Sequence, residues 1–512
     1  MSAENYHQEE ALGKAYDSRL MKRLLTYLRP YKKQVALGVV LLLLASGIQI
    51  AMVFLLKIGI DKYIASRDTA GLALIAGAFA VAIIIGFFIE YVQLFLTTWL
   101  GQRVQDDLRM QIFSHVQKLH LGYFDRTPVG RIVTRLTNDV NALNEMFSSG
   151  VVTVMGDIFM LILIVGAMVY LNWELALITF ATLPLLIGAT LIFRAKVRNV
   201  YRIVRTKLAQ LNAFMQEHIT GMTIVQLFNR EETTFAKFDG INKDLRTAHF
   251  RSIYYYAVFF PVVEIIGAVS AGLLLYYGGL KIYSGILTFG GLVAFLQLVE
   301  KFYRPIRDLS EKYNILQASM ASSERIFKLL DTPPAIIDRQ DASPLPSVKG
   351  KIEFENVWFA YGENDWVIKD LSFTVNPGEK VAIVGATGSG KTTLISLLFR
   401  FYEKQKGSIR IDGKDVSEIK IADLRSHLAL VLQDVFLFTG DFAGNVRLRD
   451  ENISDDDVRR ALSRVGYDRF LKKEEDGIHT EVKERGATLS TGQKQLLSFA
   501  RALAFDPQIL IL

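Results

Sequence analysis

Gly385-Ala386-Thr387-Gly388-Ser389-Gly390-Lys391-Thr392 has the residue types to hold a nucleoside triphosphate. The pattern is a glycine, four residues, then Gly-Lys-Thr. Glycine lets successive backbone N–H groups turn inward around phosphate oxygens, where a Cβ would intrude. Lys391 can set a point charge against the β- and γ-phosphates, and the Thr392 hydroxyl can ligate Mg²⁺. Two elements must position such a loop. Val381–Val384 before it reads as a buried strand, and Thr393–Leu398 after it reads as the start of a helix, whose N-terminal end favours anions. A chance glycine-rich turn has no reason to carry strand, loop and helix in register.

Three other places could serve the same ligand. Lys351–Phe359 alternates as a strand and is followed by Tyr361, whose ring could stack on a purine. Aromatic residues in strands more often belong to a core, so that ring alone does not decide. Val431-Leu432-Gln433-Asp434 closes a short apolar run. Leu489-Ser490-Thr491-Gly492-Gln493 opens a helical pattern and reads either as a second anion site or as an ordinary capped helix start.

The rest of the chain explains where that chemistry takes place. Of the 512 residues 51% are hydrophobic, and mean hydropathy is +0.25, high for a soluble protein. The apolar residues gather before residue 305, in six segments at about 35–58, 71–99, 149–171, 174–193, 253–279 and 283–300. Each approaches the roughly 20 residues needed to span a bilayer. The chain has no cysteine, which excludes disulfides and thiolate metal sites. The first apolar run is too long for the core of a signal peptide. The net charge of +7 fits inward-facing basic loops better than a nucleic-acid partner. Arg19, Lys22, Arg23, Arg29, Lys32 and Lys33 precede the first span. Arg103, Arg109, Lys118, Arg126, Arg131 and Arg135 lie in the 100–148 loop, and Arg194, Lys196, Arg198, Arg202, Arg205 and Lys207 in the 194–252 loop. The alternate loops hold only Lys62 with Arg67, nothing basic near Asn172, and Lys281. This asymmetry places both termini and the phosphate loop in the cytoplasm.

Both inner loops show apolar residues at helical spacing. Folded as helical hairpins, with turns at Gly122–Gly130 and Gly221-Met222, they would reach roughly 35 Å below the membrane. Glu90, Asp157 and Glu264 are acidic residues in or near the spans. An ionisable group there is either functional or paired across helices. Glu264 and Asp157 are the candidates for a cavity that takes cationic amphipathic substrates.

Taken together, these motifs resemble the exporter-type ATP-binding cassette transporters, over essentially everything from about residue 20 onward. The chain is most similar to the bacterial multidrug half-transporters, particularly those that work as heterodimers. The resemblance implies that Gly385–Thr392, with Thr393, form the Walker A motif and that Tyr361 is the adenine-stacking aromatic. Gln433 would be the glutamine that senses Mg²⁺, and Leu489–Gln493 the signature that closes on a partner's ATP, with Thr491 where the family has glycine. Thr480–Gly486 resembles the X-loop, with Lys483 in place of a glycine. Phe124–Gly130 and Thr137-Asn138-Asp139 resemble the first coupling region, and Gly221 with Phe228–Glu231 the second. Ile509–Leu512 resembles the start of the Walker B strand. The Walker B carboxylates and the switch histidine lie beyond Leu512, so the sequence reads as C-terminally truncated, with hydrolysis by the chain as given in doubt.

The expected architecture is multidomain. It begins with a cytoplasmic segment 1–33, followed by a six-helix α-helical transmembrane domain 34–305 and a linker 306–350. An α/β P-loop nucleotide-binding domain at 351–512 completes it. The expected ligands are ATP and Mg²⁺, and the expected partners a second half-transporter, the bilayer and an amphipathic small molecule, not nucleic acid. The expected location is the bacterial cell membrane, multi-pass. A lipid flippase, or a non-catalytic ATP-binding half that regulates its partner, are the alternatives. An importer is disfavoured because its membrane and ATPase parts usually sit on separate chains.

Overall fold

The computed structural model describes residues 17–362, 365–471 and 476–512; most of the expected N-terminal segment therefore lies outside the described residues. The chain divides into two units. One runs through Arg109 and resumes at Thr137–Ile326; the other comprises Met110–Leu136 and Phe327–Leu512.

The first unit is helical. α1 (Ser18–Thr26) starts where the Asp17 side chain accepts the Arg19 N–H at 2.8 Å. α2 (Lys32–Ile58) and α3 (Thr69–Val116) follow. The 100–148 stretch is helical, as its periodicity implies: α4 (Leu121–Arg126) and α5 (Val129–Thr134) belong to the second unit, and α6 (Val140–Glu145) returns to the first and leads into α7 (Val152–Leu171). α8 (Trp173–Thr220), the short α9 (Met222–Leu227) and α10 (Glu231–Tyr283) make the second long hairpin. In it Val197, Val200 and Val204 pack on Leu245 and Ala248, and Phe193 stacks on Phe259 at 4.0 Å. α11 (Phe289–Leu330) closes the unit and runs on past residue 306. Its start is fixed by Asp61, whose carboxylate accepts the Thr288 hydroxyl at 2.6 Å and the Gly290 N–H at 2.7 Å. A buried core of Val53, Ile164, Met168, Leu175, Phe295 and Leu298 joins α2, α7, α8 and α11. Gly278 lets α10 approach α11; a Cβ there would lie 2.5 Å from Leu292.

The expectation of six spans needs correction. Among the described residues five helical stretches are long and apolar enough to cross a membrane: Arg29–Ile64, Thr69–Val116, Val129–Leu171, Trp173–Thr220 and Glu231–Tyr283. The segment expected at 283–300 falls short because α11 begins only at Phe289. Any 18-residue window inside α11 that starts there takes in Glu300, Lys301 and Arg304.

The second unit is α/β. β1 (Ile352–Ala360), β2 (Trp366–Val375), β3 (Lys406–Ile411) and β4 (Lys414–Asp415) form an antiparallel sheet in the order β2-β1-β3-β4. Phe354, Val357 and Phe359 of β1 are buried against Leu397 of α12 (Lys391–Leu398). α13 (Ile421–Ser426) leads to β5 (Leu428–Leu430). β6 (Gly440–Asp441), α14 (Phe442–Arg447), α15 (Asp455–Arg464), α16 (Asp468–Leu471), β7 (Glu481–Val482), α17 (Thr491–Ala504) and β8 (Ile509–Ile511) follow. Phe442, Val446, Val458, Leu462, Tyr467 and Leu497 form a second core there. β8 pairs in parallel with β5, Leu428 opposite Ile509 and Leu430 opposite Ile511.

Val381–Val384 is not the buried strand its sequence suggests. It lies outside every ladder and is exposed, Val384 at 88%. A short apolar run becomes a strand only where a neighbour offers hydrogen bonds, and none of the described strands pairs with this one.

Candidate functional site

The loop at 385–390 hands its backbone to α12 through two left-handed residues, Gly388 (φ +86°) and Gly390 (φ +93°). Gly390 stands immediately before the first helical residue, so Lys391 opens α12 and the loop lies against a helix N-terminus. A Cβ at Gly385 would come within 2.6 Å of the Ser389 hydroxyl. The Ser389 N–H donates to the Ala386 carbonyl at 3.1 Å, which holds the turn around Thr387. Lys391 Nζ donates to the carbonyls of Gly385 and Ala386 at 2.7 and 2.9 Å. The ammonium is thus folded over the loop's own acceptors, in a cradle that side chains at the glycines would fill. The residues fit a polyphosphate. Thr392 is exposed beside the loop.

α12 also reaches the aromatic candidate. The buried Thr393 sets its Oγ1 3.0 Å from the Tyr361 hydroxyl. Phe359 meets the Tyr361 ring edge-on at 4.8 Å. Gln405 receives the Ala360 N–H at 3.1 Å and returns its amide to the Ala360 carbonyl at 2.9 Å, fixing the end of β1.

The other candidates stand apart. Gln433 is exposed just beyond β5. Ser490 caps α17: its hydroxyl accepts the Gln493 N–H at 3.3 Å, and its own N–H donates to Gln493 Oε1 at 2.8 Å. Leu489 is half-buried, while Ser490, Thr491 and Gly492 are exposed, leaving this helix end open to a second molecule. Among the described residues no hydrogen bond joins Gln433 or the 489–493 turn to the phosphate loop. In the spans, Asp157 is ion-paired with Lys312, Glu90 accepts from Gln49 Nε2 at 3.0 Å, and Glu264 is exposed on α10.

The structure adds residues that motif reading left out. Tyr402, just after α12, donates its hydroxyl to Asp125 of α4 and meets the Tyr361 ring edge-on at 5.1 Å. Burial, then the Asp125 carboxylate, pushes the Tyr402 phenol well above its ordinary value. Arg126 donates to the Tyr361 carbonyl at 2.9 Å. These residues and Gln405 surround a cavity of about 440 Å³ beside Tyr361, within the second unit. Asp125 and Arg126 belong to a stretch the sequence had already marked; Tyr402 stands in no motif, and no spacing announces it.

Apolar membrane-length helices and a phosphate loop at a helix start, on one chain, define a membrane-bound nucleoside triphosphatase. Residues 35–306 match the ABC transporter transmembrane region, and residues 368–512 match the ABC transporter family. The chain belongs to the ABC transporters, as an exporter half-transporter carrying one transmembrane and one ATP-binding domain. It is 36% identical to the ABC transporter ATP-binding protein YknV of Bacillus subtilis, over 99% of this chain and 84% of that one. It is 32% identical to an ATP-dependent lipid A-core flippase of Syntrophus aciditrophicus, over 96% and 82%. To the probable multidrug resistance ABC transporter ATP-binding/permease protein YheH of Bacillus subtilis it is 35% identical, over 87% and 66%. The protein is accordingly an ATP-driven exporter with ATPase activity, embedded in a membrane.

Proposed function

We propose that this half-transporter exports amphipathic small molecules, cationic ones foremost, across the bacterial cell membrane. Its ATP would be held by Gly385–Thr393 with Tyr361 against the base. Thr392 and Gln433 would hold the Mg²⁺, and Lys391 would neutralise charge on the transferred phosphoryl group. Ser490–Gln493 would close on the ATP of a second half-transporter, as the open end of α17 supports. Thr491 favours a heterodimer, in which a partner's signature can differ. In this reading α11 completes six spans and puts the ATP-binding domain in the cytoplasm.

The observation that carries the cargo is the α10 face bearing Tyr256, Phe260 and Glu264. These residues recur every fourth position and so share one side of the helix. Tyr256 and Phe260 rings lie 6.0 Å apart, and the Glu264 carboxylate is exposed one turn further on. A carboxylate on a membrane-spanning helix is costly unless it lines a polar cavity or meets a cation, and aromatic faces attract organic cations. Transport of a dye panel by inverted vesicles holding the full-length protein tests this. ATP-dependent uptake of cationic dyes, lost in Glu264→Gln while neutral dyes still move, is the expected result. No dye uptake together with ATP-driven flipping of a fluorescent lipid would replace it with the second reading. That reading, a lipid flippase, draws on the relative named as a lipid A-core flippase.

A further inference from the structure

The basic flank before the first span has no part in the nucleotide or cargo chemistry, yet it borders a cavity. In the first unit, an apolar cavity of about 140 Å³ opens between α1, α2, α3 and α7. Leu25 and Leu28 line it from the N-terminal side, Val35, Val39 and Leu42 from α2, and Phe147 from the turn before α7. Thr97, one of its few polar lining residues, spends its hydroxyl on the carbonyls of Gln93 and Leu94 at 2.9 and 3.1 Å. An apolar cavity of this size stays dry and takes hydrocarbon.

Two further observations say what kind of hydrocarbon. Tyr31 and Trp99 meet edge-on at 5.9 Å, and the Arg103 guanidinium lies 5.4 Å from the Trp99 ring. Paired Tyr and Trp rings with a basic neighbour mark the depth of lipid headgroups. Arg29, Lys32 and Lys33 are exposed in the stretch between the lining residues Leu28 and Gln34, and Lys22 is exposed one turn before Leu25, while the Tyr31 hydroxyl is already taken by Asp107 at 2.8 Å. Cations at the mouth of a hydrocarbon slot complement an anionic headgroup and oppose a cationic cargo. We propose that this cavity takes a short stretch of one acyl chain of an anionic phospholipid from the leaflet facing α1, the rest of the chain staying in the surrounding hydrocarbon, with Lys22, Arg29, Lys32 and Lys33 on its phosphate. The site is separate from the proposed cargo face on α10, and its test does not involve cargo transport.

The full chain, purified in neutral detergent, is titrated with dioleoyl phosphatidylglycerol and dioleoyl phosphatidylcholine, and retained lipid is counted by native mass spectrometry. Wild type should hold the phosphatidylglycerol preferentially. Each basic side chain at an anionic surface contributes roughly fivefold, so Arg29→Gln with Lys32→Gln and Lys33→Gln should together lower that preference by about a hundredfold. Gly38→Leu should lower retention of both lipids. A Cβ at Gly38 meets only Leu96, at an ordinary 3.8 Å, so a longer side chain can grow into the cavity. One arm needs no variant: dihexanoyl phosphatidylglycerol, with the same headgroup on short chains, should displace the dioleoyl lipid poorly. Equal retention of the two dioleoyl lipids by wild type, equal displacement by the short-chain lipid, or displacement by a cationic dye at matched concentration would each overturn the assignment.

Discussion

Among the described residues the Lys391 ammonium is held by two carbonyls of its own loop, at 2.7 and 2.9 Å. Neutral acceptors hold an ammonium more weakly than phosphate oxygens do, so the side chain can move to a ligand without breaking a buried network. Lys391→Ala should therefore abolish ATP hydrolysis, by about 100-fold or more, and leave the melting temperature within a few degrees. A steady-state ATPase assay beside a thermal melt checks both halves. Tyr361, in the proposed role against the base, would act through its face. Tyr361→Phe should keep the KM for ATP within about twofold, whereas Tyr361→Ala should raise it roughly tenfold through lost aromatic contact. An equal effect of the two would assign the role to the hydroxyl on Thr393 instead. Thr491 crowds the open end of α17 with a methyl and a hydroxyl where glycine is usual. Thr491→Gly should hold or raise the ATPase rate of the assembled transporter, and a fall would show that the threonine is itself adapted to its site.

Elements here are held in register by pairs far apart in sequence. Asp139, 3% exposed just before α6, accepts Arg325 of α11 through Nε at 3.0 Å and Nη2 at 2.6 Å, with the Ser322 hydroxyl at 3.0 Å. Removing Asp139 takes two charge-assisted hydrogen bonds from Arg325, whose side chain is 35% exposed and still reaches water, so the cost falls below the about 3–5 kcal/mol of a fully buried pair, whereas replacing both by apolar residues is often neutral. Asp139→Ala should lower the melting temperature, and Asp139→Leu with Arg325→Met should recover most of the loss. A second clamp is pH-dependent. His479 Nδ1 lies 2.9 Å from Asp441, the cap of α14, and Nε2 lies 3.4 Å from Asp455 at the start of α15. The hydrogen bond to Asp441, with Asp455 nearby, raises the His479 pKa above its ordinary 6.5. Burial alone would raise Asp441, but the His479 and Gly444 hydrogen bonds outweigh it and hold the carboxyl below 3.8. The histidine's contribution is complete below 6.5 and is lost as pH rises through the raised folded value; that of Asp441 is complete above 3.8 and fades as pH falls through its lowered one. The melting difference between wild type and His479→Gln should thus be largest between these limits and shrink above them. Such long-range ties also show what sequence could not disclose. The glycine turn at 385–390 and the helices of 100–148 and 194–252 are legible because glycine positions and helical periodicity are local properties. The start of α11 is set by Asp61 from another helix, Val381–Val384 meets no strand to pair with, and Tyr402 finds Asp125 only through the fold. The sixth expected span, 283–300, is cut short by the same kind of tie, its helix starting only at Phe289, where Asp61 accepts the Gly290 N–H.

At the scale of the whole molecule the open matter is parity. Five helices meet the length and apolarity of a span, and α11 carries Glu300, Lys301 and Arg304 within its first turns of membrane length. With an odd number of spans, the ATP-binding domain would face the same side as the short turn at Ser284; with an even number, the opposite side. The charge asymmetry argues for even, because basic residues crowd the two long hairpins and avoid the short turns. The energetic objection is weaker than it looks. Phe302 and Leu298 of α11 are buried in the helical core, so this helix meets neighbouring helices along much of its length, and long Lys and Arg side chains can extend toward the interface. The absence of cysteine makes the question directly measurable, since any introduced thiol is the only one in the chain. Single-cysteine variants at Ser66, Ser284, Lys118, Arg230 and Ser343, in right-side-out vesicles, are exposed to a membrane-impermeant maleimide. Ser66→Cys and Ser284→Cys should label from outside, while Lys118→Cys, Arg230→Cys and Ser343→Cys should label only after the vesicles are opened. Labelling of Ser343→Cys together with Ser284→Cys would remove the sixth span. It would also strand the phosphate loop on the side of the membrane away from cellular ATP, so the ATPase assignment and the topology stand or fall on the same gel.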